Sequence, residues 1–359
     1  MKNKSILIAV KDMEQLENYI RMLKNGKFDD EEKYSKEVRS MIEEFMENDW
    51  KVYLGTLDKF DTEKGIFYNI YCINTQETND LGIKEINDKI SVMIIRNVGS
   101  VEQKFVEIET CLKYLINNYT GKVINDPKSM LRGMTKRYLV EINEKELEKF
   151  GVTTIPTKIF DRTITFEEIC KQYPDHREDY LIKPVTGELS NSLKCLADVD
   201  EQFFRWKENK VGGWVVQPIQ KEIWKGEYQI SLLNKQVIYS QKKEYTNTDE
   251  SVPSQKTRII SKYSPSDKEV SSAVKLVEYF EKLYDLKIDI CRVDFMKTAD
   301  GKMKLLEFEM VNPGFFIGYM KEHDLAIKKI TKSIREYKVN IRRLCLIICS
   351  TVKGYYNEN

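Results

Sequence analysis

The segment KLLEFEMVNPG, from Lys304 to Gly314, places Glu307 and Glu309 two residues apart among apolar side chains. In a β-strand, side chains at positions i and i+2 share a face, so both carboxylates would point the same way. Two neighbouring anions repel each other unless a cation lies between them, and carboxylate oxygens are ligands that suit Mg²⁺. The same alternation is also typical of an ordinary strand with one solvated face, so the pair alone decides nothing.

A third carboxylate comes from the preceding strand. Asp294 lies in CRVDFM, and Asp300-Gly301 between the two segments is a turn sequence that tolerates positive φ. The sequence therefore predicts an antiparallel hairpin that brings all three acids onto one face. Such a cluster is costly unless a metal ion or a Lys or Arg compensates it. The hairpin predicts a cation site.

Two upstream segments could meet a nucleotide. In DYLIKPVTGELSNS, Lys183 ends an apolar strand just before Gly187, where a lysine and exposed backbone N–H groups can bind a phosphate. In VVQPIQKEIWKGEYQIS, the backbone at 217–219 could bind an adenine edge and Glu227 a ribose hydroxyl. A surface lysine before a turn and an exposed connector explain the same two segments equally well.

Composition excludes several classes of protein. The 359 residues suffice for about two or three lobes, and 58 Lys and Arg against 57 Asp and Glu give no reason to expect nucleic acid as a partner. His176 and His323 lack the spacing of a zinc site, and seven scattered cysteines suit a reducing compartment. The amino-terminal apolar run is interrupted too early for a signal peptide, and no stretch reaches the roughly 20 apolar residues of a membrane span. We expect a cytoplasmic protein without a membrane partner.

The first third of the chain alternates strands and helices. Apolar runs predict strands at Ser5–Val10, Trp50–Gly55 and Lys89–Ile95, and helical spacing predicts a helix at Phe105–Asn118. This alternation is typical of a parallel α/β sheet, here in residues 1–125.

The chain changes character after the turn sequence KVINDPKS. Here strands are predicted at Thr157–Phe160, Tyr180–Lys183, Gly213–Gln217, Tyr228–Leu233 and Val237–Gln241. A helix at about Lys268–Tyr284 precedes the hairpin. Antiparallel strands with covering helices indicate an α+β region.

The order and spacing of these pieces resemble the ATP-grasp superfamily, in its bacterial glutathione synthetase and RimK-like branch. The resemblance rests on KPVTG, VVQPIQKEIWKGEYQIS, RVDFM and LLEFEMVNPG, with further likeness in IIRNVGSVE and VINDPKSMLRGMTKRYL, over about residues 90–330. It implies two lobes that clasp ATP. It also implies a substrate lobe at 1–125, an ATP-grasp domain at 126–335 divided near 215, and a carboxyl-terminal appendage at 336–359.

The resemblance assigns roles by position, with ATP and Mg²⁺ as cofactors. The nucleotide would be bound by Lys136 and Lys183 at the phosphates, Gln217, Pro218 and Ile219 at adenine, and Glu227 at the ribose. The Mg²⁺ ligands would be Asp294, Glu307 and Glu309, the catalytic cations Arg258 and Arg292, and the substrate-binding residues Arg96, Lys243 and Asn312.

The chain departs from the family pattern at three places. Glu309 stands where most members have Asn, TGELSNS has a single glycine in the phosphate loop, and Gln229 stands where many relatives have Arg. The last difference removes a positive charge near the transferred phosphoryl group. Arg258 is our first choice to replace it, with Lys243 and Arg292 as alternatives.

The resemblance implies a ligase that joins a carboxylate to an amine through an acylphosphate, with small-molecule or peptide substrates. Self-association into a homo-oligomer stays open. A ligase that closes amide or ester links in a ribosomal precursor peptide is a variant of this hypothesis. A small-molecule kinase and a nucleotide-binding module without catalysis are the alternatives. The sequence contains no GxSxG and no Cys/His pair, which agrees with chemistry that needs no side-chain nucleophile.

Overall fold

The computed structural model describes residues 4–25, 33–186, 193–208, 212–246, 252–253, 258–314 and 325–336. The strands are β1 Ser5–Val10, β2 Lys51–Thr56, β3 Phe60–Asp61, β4 Ile66–Cys72, β5 Glu77–Gly82, β6 Val92–Ile95, β7 Lys122–Ile124, β8 Val152–Thr153, β9 Lys158–Phe160, β10 Tyr180–Pro184, β11 Lys194–Cys195, β12 Trp214–Pro218, β13 Glu227–Leu233, β14 Gln236–Tyr245, β15 Arg258–Lys262, β16 Ile290–Lys297 and β17 Met303–Glu309. The helices are α1 Met13–Asn25, α2 Lys33–Met46, α3 Ile83–Lys89, α4 Phe105–Asn118, α5 Pro127–Gly133, α6 Tyr138–Glu141, α7 Glu144–Glu148, α8 Phe166–Gln172, α9 Glu201–Glu208, α10 Asp267–Tyr284 and α11 325–336.

The described residues form three sheets, of which the first has the order β3-β4-β2-β1-β6-β7, with β5 on β4. Strands β2, β1, β6 and β7 are parallel, as the sequence predicts. The prediction of a purely parallel sheet is wrong, because β3, β4 and β5 extend the edge in antiparallel pairing. A tight turn after Cys72, with Gln76 at φ 58°, produces this hairpin, which the sequence prediction missed.

Both faces of the first sheet are covered, which explains why β1 is apolar throughout. Ile6 and Ile8 pack against α1 and α2 on one face, while Leu7 and Ala9 pack against α4 on the other. Strands buried on both faces read as continuous apolar runs, since neither face meets water.

The other two sheets are mainly antiparallel. The second has the order β11-β10-β12-β9, and the third has the order β15-β14-β13-β16-β17-β8. The predicted hairpin of β16 and β17 is present, and Gly301 in its turn has φ 76°. The predicted succession of an α/β region and an α+β region is confirmed. The exact domain boundaries at 125, 215 and 335 stay predictions, and the segments 187–192 and 337–359 lie outside the described residues.

Asn125 fixes the first sheet to the third. Its Nδ2 donates to the carbonyls of Ile290 at 2.5 Å and Met310 at 2.8 Å. Its Oδ1 accepts from the N–H of Ile290 at 2.5 Å. The buried amide therefore serves as a bridge between the end of β7 and the strands that carry the acids.

Helix α11 also joins these sheets. Ile330 belongs to the apolar cluster of the first sheet, and that cluster also contains Leu233 of the third. Arg335 donates to Glu44 of α2 at 3.0 Å. None of the helices that the structure describes is long and apolar enough to cross a membrane.

We predict that Asn125→Ala lowers the free energy of unfolding by about 2–4 kcal/mol, because buried backbone groups that lose their partners cost about 1–3 kcal/mol each. Urea denaturation measures this. Asn118→Ala is the control, since its amide caps the exposed end of α4 at 2.9 Å from Tyr114 O, and it should change stability by less than about 0.5 kcal/mol. Equal effects of the two variants would show that the bridge is not important.

Candidate active site

The three acids lie on one face of the third sheet. In the β16–β17 ladder, Asp294 lies opposite Glu307, and Arg292 lies opposite Glu309. The register shifts immediately after Asp294. Asp294 is buried, whereas Glu307 and Glu309 are partly exposed. The hairpin thus gives the arrangement that the alternation predicts.

Cations and backbone groups already engage these carboxylates. The Nε and Nη2 of Arg292 donate to the two oxygens of Asp294 at 2.7 and 2.8 Å. Lys136 Nζ lies 2.7 Å from Glu307 Oε1. Glu309 Oε1 accepts from the backbone N–H of Val311 and of the next residue at 2.8 and 3.0 Å. Accordingly, no group of three or more His, Cys, Asp or Glu within the described ranges is arranged to hold a metal ion.

Burial and charge act in opposite directions on the two facing acids. Burial raises the pKa of Asp294 to about 6 and outweighs the adjacent Arg292. Burial would also raise the pKa of Glu307, but the charges of Lys136 and Lys183 lower it to about 2. Glu307 is therefore ionised at neutral pH, while Asp294 is the acid whose charge is less well compensated.

Gln229 links two of the predicted site residues. Its Nε2 donates to Glu227 Oε1 at 2.6 Å and to Asp294 Oδ2 at 2.7 Å, and its Oε1 accepts from Gln241. Gln229 is 1% exposed, so its amide is buried among these side chains. The amide connects the predicted ribose ligand to a predicted metal ligand.

Glu227 is held by further groups. Lys243 Nζ lies 2.9 Å from its Oε1, and Tyr245 Oη donates to its Oε2 at 2.6 Å. Lys243, predicted to bind substrate, is thus paired with Glu227. The sequence prediction missed Tyr245 and Gln241, although both alternate with Lys243 along β14 and could have been found by that spacing.

Two lysines connect the second and third sheets. The backbone N–H of Lys136 donates to Val185 O, next to β10, at 2.9 Å. Lys183 on β10 is half-buried, and no carboxylate of the described residues lies within ion-pair distance of it. Burial and the charge of Lys136 lower the pKa of Lys183 to about 8, while Glu307 and Glu227 oppose this shift. Charges from both sheets therefore converge here.

The predicted adenine segment lies at the end of β12. Gln217 is buried and its Nε2 donates to Thr157 Oγ1 at 2.8 Å. The backbone N–H of Ile219 donates to Asp179 O at 2.8 Å, and Pro218 is half-buried between them. The side chain of Gln217 and the amide of Ile219 are thus engaged with the small sheet.

The remaining predicted residues occupy three different places. Arg96, beyond the end of β6, is buried and donates through Nε to Glu37 Oε1 at 2.8 Å. Asn312 accepts from the N–H of Val98 at 2.9 Å, so it joins the hairpin to the loop after β6. Arg258 begins β15, opposite Tyr245.

Glu37 was not predicted as a site residue. It lies on α2 and is 3% exposed. Its position four residues before Met41, on the apolar face of the helix, is a signal that could have found it, because an acid on that face must be buried and paired.

Comparison with known proteins addresses the fold. No protein-family model matches the chain, and no curated protein matches its sequence. Among solved structures, the D-cycloserine synthetase DcsG is similar with a TM-score of 0.61 at 16% identity, over 91% of this chain and 99% of that one. A RiPP-associated ATP-grasp ligase of Chryseobacterium gregarium has a TM-score of 0.53 at 13% identity, over 92% and 97%.

The chain has the ATP-grasp fold. D-Alanine–D-alanine ligase of Bacillus anthracis is also similar, with a TM-score of 0.51 at 15% identity over 94% of this chain and 99% of that one. Similarity at such low identity shows the ATP-grasp fold alone. Assignment to the glutathione synthetase and RimK-like branch stays a prediction.

The pKa of Glu307 predicts an acid dependence of stability. Its value of about 2 lies below the ordinary 4.5, so the ionised carboxylate stabilises the folded state above pH 4.5, and this contribution is lost as the pH falls from 4.5 towards 2. In Glu307→Gln, unfolding over this range should take up fewer protons, by up to about one per molecule. The pH dependence of the urea midpoint measures it. The exposed control Glu148→Gln should keep the wild-type slope, and a Glu307→Gln slope equal to it would contradict the assignment.

Proposed function

We propose that this protein is an ATP-dependent carboxylate–amine ligase that forms an amide bond through an acylphosphate. The observation that carries the proposal is the convergence of Lys136 and Lys183 with Asp294 and Glu307 between the second and third sheets. The ATP-grasp fold supports it, because the D-cycloserine synthetase DcsG and D-alanine–D-alanine ligase have similar folds. Two cations beside two acids suit a nucleotide with bound metal ions. The cations would bind its phosphate groups, and the acids would bind the metal.

The proposal gives a role to each of the predicted nucleotide-binding residues. Lys136 and Lys183 would contact phosphate oxygens, since their charges lie near each other and near Glu307. The end of β12, at 217–219, would lie along adenine. Glu227 would accept from a ribose hydroxyl while Lys243 keeps it ionised. The C. gregarium ligase was solved in complex with ADP, which agrees with this use of the fold.

The acids fit Mg²⁺ in the chemistry of their donors, because Asp294 and Glu307 offer carboxylate oxygens from directly opposed positions. Glu309 would add a third. Arg292 and Lys136, which neutralise these acids in the structure, would then turn to phosphate oxygens. When bound, the metal would neutralise part of the phosphate charge.

The reaction needs charge stabilisation rather than a protein nucleophile. A carboxylate oxygen of the acid substrate attacks the γ-phosphorus of ATP and ADP leaves, giving an acylphosphate. An amine then attacks the acyl carbon, loses a proton and expels phosphate. Lys136, Lys183 and Arg292 would stabilise the phosphoryl oxygens, and Arg258 would assist from β15. Closure of the two lobes would exclude water from the acylphosphate.

A ligase acting on a ribosomal precursor peptide is the second candidate. The C. gregarium ligase was solved with a leader and core peptide. A kinase would transfer the same phosphoryl group to an alcohol and would make no acylphosphate. Hydroxylamine distinguishes a ligase of either kind from a kinase, because it converts an acylphosphate to a hydroxamate.

The test of function is an ADP-release screen of amino acids and dipeptides, singly and in pairs, with hydroxylamine traps and mass measurement of products. We expect ADP release with an acid and an amine, and a hydroxamate when the amine is omitted. Glu307→Gln should lower kcat by about 100-fold or more with the fold retained, whereas Glu148→Gln should not. ADP release without hydroxamate would indicate a kinase, and no turnover with any pair would indicate a binding module.

The pKa of Lys183 predicts how nucleotide affinity depends on pH. Lys183 is charged below about pH 8 and neutral above it, so the Kd of a non-hydrolysable ATP analogue should rise by up to about tenfold between pH 7 and pH 9. Isothermal titration calorimetry measures this. Lys183→Arg keeps its charge throughout and should lack the dependence. An equal change of Kd with pH in the wild type and in Lys183→Arg would show that Lys183 does not bind the phosphates.

A further inference from the structure

Polar side chains gather at the carboxyl end of the first sheet. Thr56 lies opposite Val10 in the β1–β2 ladder, and Ile8 lies opposite Ile94 in the β1–β6 ladder, so Arg96 continues that row beside Val10. Thr56 and Arg96 therefore flank Val10 on one face of the sheet, two strand spacings or roughly 10 Å apart. Open α/β sheets bind their ligands at this end of their strands.

The Arg96–Glu37 pair at this edge is buried and electrically neutral. The two side chains are 8% and 3% exposed, and both Nε and Nη2 of Arg96 contact the same carboxylate oxygen of Glu37. Because charges removed from water must be compensated, an acid that added only a negative charge here would leave an excess charge. A ligand that brings one charge of each sign keeps the balance.

Thr56 supplies an independent indication of a ligand. Its residue is 1% exposed, and its Oγ1 has no hydrogen-bond partner in the described part of the chain. A buried hydroxyl without a partner is costly in a folded protein. The Thr56 hydroxyl, which lies across Val10 from Arg96, is thus an unsatisfied donor and acceptor.

This edge is connected to the acids of the hairpin. Val98, two residues beyond Arg96, donates its N–H to Asn312, whose own N–H donates to Glu309. A molecule bound at Arg96 would therefore lie on the side of the first sheet that adjoins the hairpin.

We propose that Arg96, Glu37 and Thr56 form a subsite for a free α-amino acid in its zwitterionic form. The carboxylate of the ligand binds Arg96, its ammonium group binds Glu37, and one of its polar groups satisfies the Thr56 hydroxyl. This subsite rests on the proposed ligase for its role as a substrate site, and it favours a free amino acid over a side chain of a precursor peptide, which lacks the paired charges.

Binding is tested on the full chain without ATP. The standard L-amino acids, with D-alanine and D-serine, are screened by thermal shift, and each one that binds is compared with its α-hydroxy-acid analogue, such as lactate for alanine. We expect the amino acid to bind and the hydroxy acid to bind about tenfold or more weakly, because only the amino acid offers a charge to Glu37. Failure of every amino acid to bind, or equal binding of the hydroxy acids, would overturn the proposal.

Thr56→Val is the decisive variant. It removes a hydroxyl that has no partner, so the thermal midpoint should be unchanged or higher. The Kd for the amino acid should nevertheless rise about fivefold or more, with the Kd of an ATP analogue unchanged. An unchanged Kd for the amino acid would show that the Thr56 hydroxyl does not bind it.

Glu37→Gln and Glu43→Gln form a matched pair on α2. Glu43 is exposed and pairs with Arg39 on the same helix, so Glu43→Gln should behave as wild type. Glu37→Gln should weaken binding of the amino acid about tenfold and should not weaken binding of the hydroxy acid. Equal loss for both ligands would indicate a purely structural pair. Amino acid binding without ADP release would refute the proposed ligase and leave the proposed subsite standing. ADP release that is unaffected by Thr56→Val and Glu37→Gln would refute the subsite and leave the ligase standing.

Discussion

Asp294 and Glu307 lie opposite each other on β16 and β17, and the repulsion between two facing carboxylates requires that each acid has a cation beside it. Arg292 comes from the same strand, two residues away, so it is supplied by the hairpin itself. Lys136 comes from the segment after α5 and is fixed to the second sheet by its backbone. Compensation of two facing acids thus brings the hairpin, the segment after α5 and the second sheet together.

The negative charges of Asp294 and Glu307 are stabilised to different extents, so the two acids have different pKa values. Glu307 faces two lysines and stays ionised far below neutral pH. Asp294 is enclosed with Gln229 and Glu227, a neutral amide and another acid, so its charge is stabilised less. Because Gln229 is a neutral amide, the positive charge of this network comes from Arg292 and Lys243. Arg292, Lys136 and Lys243 are therefore all paired with acids of the site.

The junction between the first and third sheets matters as much as the hairpin. Asn125 joins β7 to the strands that carry the acids, and Asn312 joins the loop after β6 to the hairpin end. Both amides bond to backbone groups, which fixes distances without depending on the identity of neighbouring side chains. The edge that contains Arg96 is consequently held at a constant place relative to Glu309.

The sequence by itself determined the elements whose signals are local. The Asp-Gly turn and the alternation around it predicted the hairpin and the shared face of its acids, and the apolar run of Ser5–Val10 predicted a strand buried on both faces. It did not predict the β4–β5 hairpin, because β5 is polar and its first four residues are exposed, so burial leaves little pattern in that part of the sequence.

Tertiary structure alone decided which groups are partners. Lys136 and Glu307, Arg96 and Glu37, and Gln229 and Asp294 are pairs that no spacing in the sequence connects. The reason is physical: a buried charge is compensated by whatever folds beside it, and that depends on register and lobe packing, whereas the periodicity of a sequence reports only which face is buried.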